Sequence, residues 1–215
     1  DSFPISQFNM TFLALLGNHE YMGDTLTQIE YSKHNSRFHM PGRYYLSHVT
    51  ANDFNISFIC VDSTPLLEPW MQQTFNVVDQ VQQKAIEKFI QESQNSTFVV
   101  LLSHHFLTPA FGPHVEYSGD NFLNNLLKKS RFHLSVSGHN HNFQYVPQGG
   151  QYSTSYFTVG NGAKKSKATQ NYVGTSGWHY DKSGGFATML FKKDSVKFTF
   201  FDENNAELKS VTIPA

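Results

Sequence analysis

The chain has 215 residues, 39% of them hydrophobic and 15% aromatic, with sixteen basic against seventeen acidic side chains. That length supports one ordinary domain with a substantial core, and residues 1–215 show no linker, repeat or low-complexity block. No apolar run is long enough to cross a membrane, and a formal charge of -1 leaves no broad basic face for a nucleic-acid backbone, so neither partner is expected.

The single cysteine, Cys60, cannot form an internal disulfide and sits in an apolar run, which favours an inert core thiol. Asn9, Asn55 and Asn95 begin Asn-x-Ser/Thr sequons, modest support for a secreted or lysosomal/vacuolar protein in a eukaryote. The chain opens close to a strand with no preceding Met, which points to processing or truncation.

Residues 12 to 16 read as a first apolar strand, and Gly17 lets the chain turn so that Asn18 and His19 project from its end. Thr25 or Thr27 can cap a helix running to about His39, stopped by Pro41-Gly42, although its apolar stripe of Leu26, Ile29 and Phe38 is thin. Residues 44 to 49 and 54 to 61 alternate as two strands around a hairpin turn at 51 to 53. Residues 63 to 76 carry two prolines, Trp70 and Met71 without a period, and read as a surface loop.

Val77, Val78, Val81, Ala85, Ile86, Phe89 and Ile90 share one helical face, with Gln82 and Glu87 among the polar positions, which predicts a helix over 77–93. A β-branched strand then runs from Thr97 into His104 and His105, followed by a Pro/Gly-rich loop ending at His114. A helix begins near Asp120, with Phe122, Leu123, Leu126 and Leu127 inward and Lys128 and Lys129 at its C-terminus, matching the dipole. Strand 132 to 137 delivers Gly138-His-Asn-His141, and 152 to 160 resembles another strand. Residues 163 to 184 are polar, and their Lys164-Lys-Ser-Lys167 cluster reads as a solvated loop rather than a phosphate patch. Three closely spaced strands, 185–192, 196–202 and 208–213, finish the chain as an antiparallel meander after an alternating start, an α/β pattern.

Three apolar strands therefore end in metal-ligand side chains: Asn18-His19, His104-His105 and His139-Asn-His141. Neighbouring strands with such C-terminal ends would line one crevice, the usual place for a site in an open α/β sheet. A lone Gly-His-x-His or a lone Asn-His is better explained by a structural or incidental histidine, but three such motifs together favour a metal site. Imidazole and carboxamide donors suit Zn, Fe or Mn better than Ca or Mg. The turn implied by Gly138 and Asn140 lets His139 and His141 serve two metals, which about 3.5–4 Å apart can clamp a phosphoryl group. His19 is placed to hydrogen-bond the phosphate or protonate the departing oxygen, and His114 could reach the substrate from its loop. His105, Glu20 and His179 read as structural or supporting residues, and His34, His39, His48 and His133 as surface or helix-face residues.

These motifs resemble the calcineurin-like metallophosphoesterases, and most closely purple acid phosphatases of the small, tartrate-resistant type. Gly17-Asn-His-Glu20, Gln28-Ile-Glu-Tyr-Ser-Lys33, Asn55-Ile-Ser57, Gly138-His-Asn-His-Asn-Phe-Gln-Tyr145, Gly160-Asn-Gly-Ala163 and Gly184-Gly-Phe-Ala187 stand like that family's landmarks, in order, over nearly the whole chain. The resemblance implies a four-layer α/β/β/α sandwich of two mixed sheets flanked by helices. It implies two metal ions, Fe(III) with Fe(II), Zn(II) or Mn(II): Asn18, His104 and His139 as ligands of the divalent ion and His141 of the ferric ion. It makes His19 and His114 the phosphate contacts, with His19 aiding the leaving group, and residues 63 to 76 the exposed loop beside the site. The implied activity is hydrolysis of phosphate monoesters with a metal-bound hydroxide as nucleophile. A phosphodiesterase or protein phosphatase of the same superfamily, and a silent scaffold keeping the fold for protein interaction, are the alternatives.

The family's first two blocks, Gly-Asp-x-Gly and Gly-Asp-x-x-Tyr, do not precede Gly17. They supply a terminal aspartate, the bridging aspartate and the iron-bound tyrosinate. Set against the resemblance, residues 1–215 cannot alone complete the site, and are expected either to be the C-terminal part of a longer or cleaved catalytic domain, lacking its N-terminal strands, or to be a diverged remnant.

Overall fold

The computed structural model describes residues 4, 6–68, 71, 74, 79–107, 111–114, 120–147, 154–169 and 177–215. Its elements, in order, are β1 (Phe12–Leu13), a 3-10 turn (His19–Met22), α1 (Leu26–His34), β2 (Phe38–His39), β3 (Tyr45–Ala51), β4 (Phe54–Cys60) and α2 (Thr64–Leu67). Next come α3 (Asp79–Glu92), β5 (Phe98–Ser103), α4 (Phe122–Lys129), β6 (Leu134–Ser137), β7 (Phe143–Val146) and β8 (Ser155–Val159). The chain closes with β9 (Trp178–Tyr180), β10 (Gly185–Phe191), β11 (Ser195–Asp202) and β12 (Glu207–Pro214).

Seven strands form a mixed sheet in the order β3-β4-β5-β6-β8-β7-β9. The neighbours β4, β5, β6 and β8 are parallel, with antiparallel strands on both sides of them. β10, β11 and β12 make the expected antiparallel meander, and β1 pairs in parallel with β2. This is the expected α/β sandwich, and strand alternation builds it. Phe98 and Val100 of β5 face one way, with Ile56, Phe58 and Phe157, against Val196, Phe198, Phe200 and Ile213 of the meander. Rings of Phe157 and Phe198 stack across that interface, centroids 3.9 Å apart. Val99 and Leu101 face the other way, with Ile59, onto Ile86 of α3 and Leu123, Leu126 and Leu127 of α4. A central parallel strand with both faces covered needs apolar residues at every position, hence the unbroken run in β5.

The structure corrects several expectations. The helix from Thr25 stops at His34, and Phe38–His39 is strand β2, because the chain turns back to pair with β1. None of α1 is buried, as its thin stripe allows. On α3, Val81 is 57% exposed while Gln82 is buried, since Gln82 accepts from the backbone N–H of Asp62 at 2.9 Å and donates to its carbonyl at 3.0 Å. The 63–76 segment begins with α2 and buries Met71, while Trp70 lies outside the described residues. α4 starts next to Asp120, as expected, and its N-cap is Asn121, whose side chain accepts from Asn124 N–H. His133 is buried and accepts from Val99 N–H at 3.0 Å, and burial holds its pKa down at about 4. β7 and β9 were not foreseen.

Cys60 is fully buried, and burial pushes its thiol up to about 11, as expected of an inert core residue. Asn9 and Asn95 are exposed, whereas the Asn55 carboxamide oxygen accepts from Thr97 N–H at 2.8 Å. Among the described residues no helix is long and apolar enough to cross a membrane.

Candidate metal centre

β5 and β6 run in parallel with Ser103 opposite Ser137, so their C-terminal ends finish level on one edge of the sheet. The N–H of Gly138 donates to the carbonyl of His104 at 3.0 Å and ties the two ends together. β1 belongs to another sheet, so the third candidate, Asn18, arrives from outside this edge and not from an adjacent strand as the sequence led one to expect. It arrives all the same. Asn18 occupies the N-cap of the 3-10 turn without making a cap bond, and its Oδ1 lies 2.9 Å from His104 Nε2. An asparagine in that position ordinarily caps its own helix; here the side chain is given to the site.

His139 completes the group. Its backbone is left-handed, with φ 59, between Gly138 and Asn140, and its Nδ1 lies 3.1 Å from His104 Nε2. A non-glycine residue in that region is strained and persists only where the surroundings enforce it. Gly160 is part of that enforcement, because a Cβ there would overlap the Asn140 carbonyl. Gly17 plays the same part at the other end: a Cβ would stand 2.7 Å from His104 Nδ1. Glu20 is held by Gly17, whose N–H donates to Oε2 at 2.7 Å.

Burial is the main reason the imidazoles resist protonation: His104 is held down at about 4 and His139 at about 3, helped by neighbouring histidines. Two neutral imidazole nitrogens and a carboxamide oxygen, with His104 Nε2 within hydrogen-bond distance of each of the other two atoms, form a donor set suited to a divalent ion of the Zn, Fe or Mn kind. Among the described residues, the ligand atoms of His104, His105 and His139 lie within 4.8 Å of one another, with no carboxylate in that group. Those donors therefore bring no negative charge with which to balance a trivalent ion.

His141 stands beside this group, its Nδ1 3.2 Å from Ser166 Oγ and its carbonyl accepting from Ser166 N–H at 2.7 Å. Its pKa is lowered by burial first, then by Lys164, His114 and His19. The segment read as a solvated loop thus also forms a wall of the site, although Lys164, Lys165 and Lys167 are exposed. His19 is exposed and close enough for its charge to be felt by His104, His139 and His141. His114 is brought in as well: its ring lies 4.5 Å from that of His139. Asn140 holds it there, accepting from His114 N–H at 3.0 Å and donating to its carbonyl at 3.2 Å. Asn142 and Gln144 fix the same loop by donating to Gly112 O, and Gln144 accepts from Phe111 N–H. The His179 ring packs on Phe111, centroids 4.7 Å apart. The clamp by Asn140, Asn142 and Gln144 escaped sequence reasoning, though alternate polar side chains around Phe143 in a strand were its visible signal.

A sheet edge that gathers imidazoles and a carboxamide in this way offers a donor cluster that could hold a metal ion. Residues 2–143 match the family model described as calcineurin-like phosphoesterase, and the chain belongs to that family. It is 24% identical to human tartrate-resistant acid phosphatase type 5, over 93% of this chain and 66% of that protein. The rabbit (Oryctolagus cuniculus) counterpart is 22% identical over 96% of this chain and 68% of its own length. The chain thus spans about two thirds of the curated relatives it matches. Among solved structures, GAP50, the anchor in the inner membrane complex of Plasmodium, superposes with a TM-score of 0.73 at 14% identity, covering 96% of this chain and 67% of that one. Purple acid phosphatase PPD1 from yellow lupin seeds superposes with a TM-score of 0.62 at 16% identity, over 95% and 39%.

Proposed function

We propose that this chain carries the neutral half of a two-metal site that hydrolyses phosphate monoesters. The observation that carries the reading is the convergence of Asn18 Oδ1 and His139 Nδ1 on His104 Nε2, at 2.9 and 3.1 Å. These three residues would hold a divalent ion, and His141 would serve the second. Bound metals supply Lewis acidity and activate water for attack on phosphorus. The protein's own residues orient the ester and handle protons. His19, exposed beside the ligands, donates to a phosphate oxygen or to the leaving oxygen, and His114, clamped by Asn140, contacts the phosphate from the opposite loop. The low proton affinity of His104 and His139 keeps the donors available in mildly acidic surroundings, in keeping with an acid phosphatase of a secreted or lysosomal/vacuolar compartment.

The test is turnover of aryl monoester, aryl diester and phosphopeptide substrates by the metal-loaded full protein. Monoester turnover is expected to lead, and diester turnover above it would sink this reading in favour of a phosphodiesterase. A second reading, a catalytically silent scaffold, is favoured by the neutral character of the three-histidine group and by the likeness in fold to an anchor protein. Turnover of none of the substrates, with metal bound, would select it.

A further inference from the structure

His105 and Glu68 have no part in the roles proposed above, yet both are buried at the site. The His105 ring lies 4.9 Å from that of His104 and 4.5 Å from that of His139. Its ligand atom falls within 4.8 Å of theirs, so proximity alone would make it a third imidazole ligand.

The hydrogen bonds argue otherwise. Ser63 Oγ accepts from His105 N–H at 3.1 Å and lies 2.8 Å from His105 Nδ1, to which it can pass its own proton. At the other side of the ring, Nε2 is 3.2 Å from Glu68 Oε1. A carboxylate oxygen accepts, so Nε2 carries the imidazole proton and Nδ1 takes the serine proton. The array runs one way, Ser63 to His105 to Glu68, and occupies both ring nitrogens. A neutral imidazole so engaged has no lone pair left for a metal.

Sequence spacing makes this array possible. Ser63 is the N-cap and Glu68 the C-cap of α2, a single helical turn with Pro65 near its start. Five residues of helical rise separate them by about 7.5 Å, a span that one imidazole with a hydrogen bond at each end can bridge. The turn after β4 thus reaches around the residue next to His104.

We propose that Ser63 and Glu68 are positioning residues that lock His105 as a non-ligating wall behind the His104 and His139 imidazoles and so set the ring orientations of the divalent-metal site. This rests on the assignment of His104 and His139 as ligands. Supporting partners of ligating histidines typically change metal affinity about 10–100-fold when lost.

The test uses the full chain: long-range proton–nitrogen NMR of the imidazoles with and without Zn(II), and calorimetric Zn(II) titration of wild type, Glu68→Gln, Glu68→Ala and Ser63→Ala. Metal-free His105 is expected as the Nε2–H tautomer, and Zn(II) should move the His104 and His139 nitrogens but not those of His105. Glu68→Ala should weaken Zn(II) about 10–100-fold, Ser63→Ala should weaken it too, and Glu68→Gln, whose carboxamide oxygen still accepts from Nε2–H, should recover most of the loss. A His105 nitrogen that shifts as a ligand, unchanged affinity in Glu68→Ala, or a glutamine variant as poor as the alanine one would overturn the proposal. Should Glu68→Ala fail to fold, Ser63→Ala decides. Wild-type protein that binds no Zn(II) would remove the metal reading. The metal-free spectra then decide the positioning claim: the tautomer and the His104 and His139 resonances must change in Glu68→Ala, and unchanged spectra overturn it.

Discussion

The Tyr21 hydroxyl donates to the Asp62 carboxylate across 41 positions of sequence, and both side chains are buried. Gln82 grips the backbone of the same Asp62 from α3. Asp62 therefore braces the 3-10 turn that follows Asn18, while its neighbour Ser63 braces the residue after His104. Two adjacent residues beyond β4 support both approaches to the candidate metal site. Tyr21→Phe removes the donor from a carboxylate whose other oxygen has no hydrogen-bond partner among the described residues. The expected cost is about 1–3 kcal/mol, read as a lower urea midpoint at unchanged slope. A midpoint equal to wild type would show that the pair contributes nothing.

Stability should fall on acidification from neutrality. Burial holds His104 near 4, His139 near 3, His105 near 2 and His133 near 4, against an ordinary 6.5. As pH drops through 6.5 toward 4, the unfolded chain takes up protons that these native imidazoles refuse, so the native state loses ground. Asp62 acts with the opposite sign: burial raises its carboxyl from 3.8 to about 6, and the native state gains between those values. The four buried histidines, joined by the lowered His141, oppose Asp62, so the thermal midpoint of the metal-free protein should be lower at about pH 4.5 than at pH 7. A higher midpoint in acid would contradict the burial argument.

Strands were legible where one physical cause acted. β5 is apolar from Phe98 to Leu102 because both faces are covered, and β10 alternates in exposure because mainly one face is. His104 and the His139-Asn-His141 turn were legible for the same reason, standing at the ends of such strands. The rest depended on partners distant in sequence. Gln82 looked like a solvent-facing helix position, and only the backbone of Asp62, 20 residues away, explains its burial. Residues 38 and 39 looked helical because their period fitted, but pairing with β1 overrode propensity. Asn140 looked like a turn residue and proved also to be the clamp on His114, 26 positions earlier.

Gly17 should tolerate no side chain. An alanine Cβ would meet His104 Nδ1 at 2.7 Å and Glu20 Oε2 at 3.0 Å, so the imidazole must shift by a few tenths of an ångström. Metal geometry is sensitive at that scale, and a loss of about 10-fold or more in Zn(II) affinity is expected of Gly17→Ala. Gly23→Ala, whose Cβ would meet nothing nearer than 3.9 Å, is the control. Equal affinities in calorimetric titration would mean that the His104 ring is not held by this contact.

The proposed division of labour between His104 and His19 predicts two different failures in the full-length, metal-loaded protein. His104→Ala removes the nitrogen on which Asn18 and His139 converge, so metal content should drop together with turnover. The fold should persist, because β5 and β6 stay joined through their backbone ladder and the Gly138 N–H to His104 carbonyl bond. His19 makes no such convergence and is exposed. His19→Ala should keep its metal and slow turnover about 10²–10⁴-fold, the range for loss of a general acid. Elemental analysis alongside steady-state kinetics separates the two. Metal retained in His104→Ala would remove that residue from the ligand set, and an undiminished rate in His19→Ala would remove His19 from the proton path.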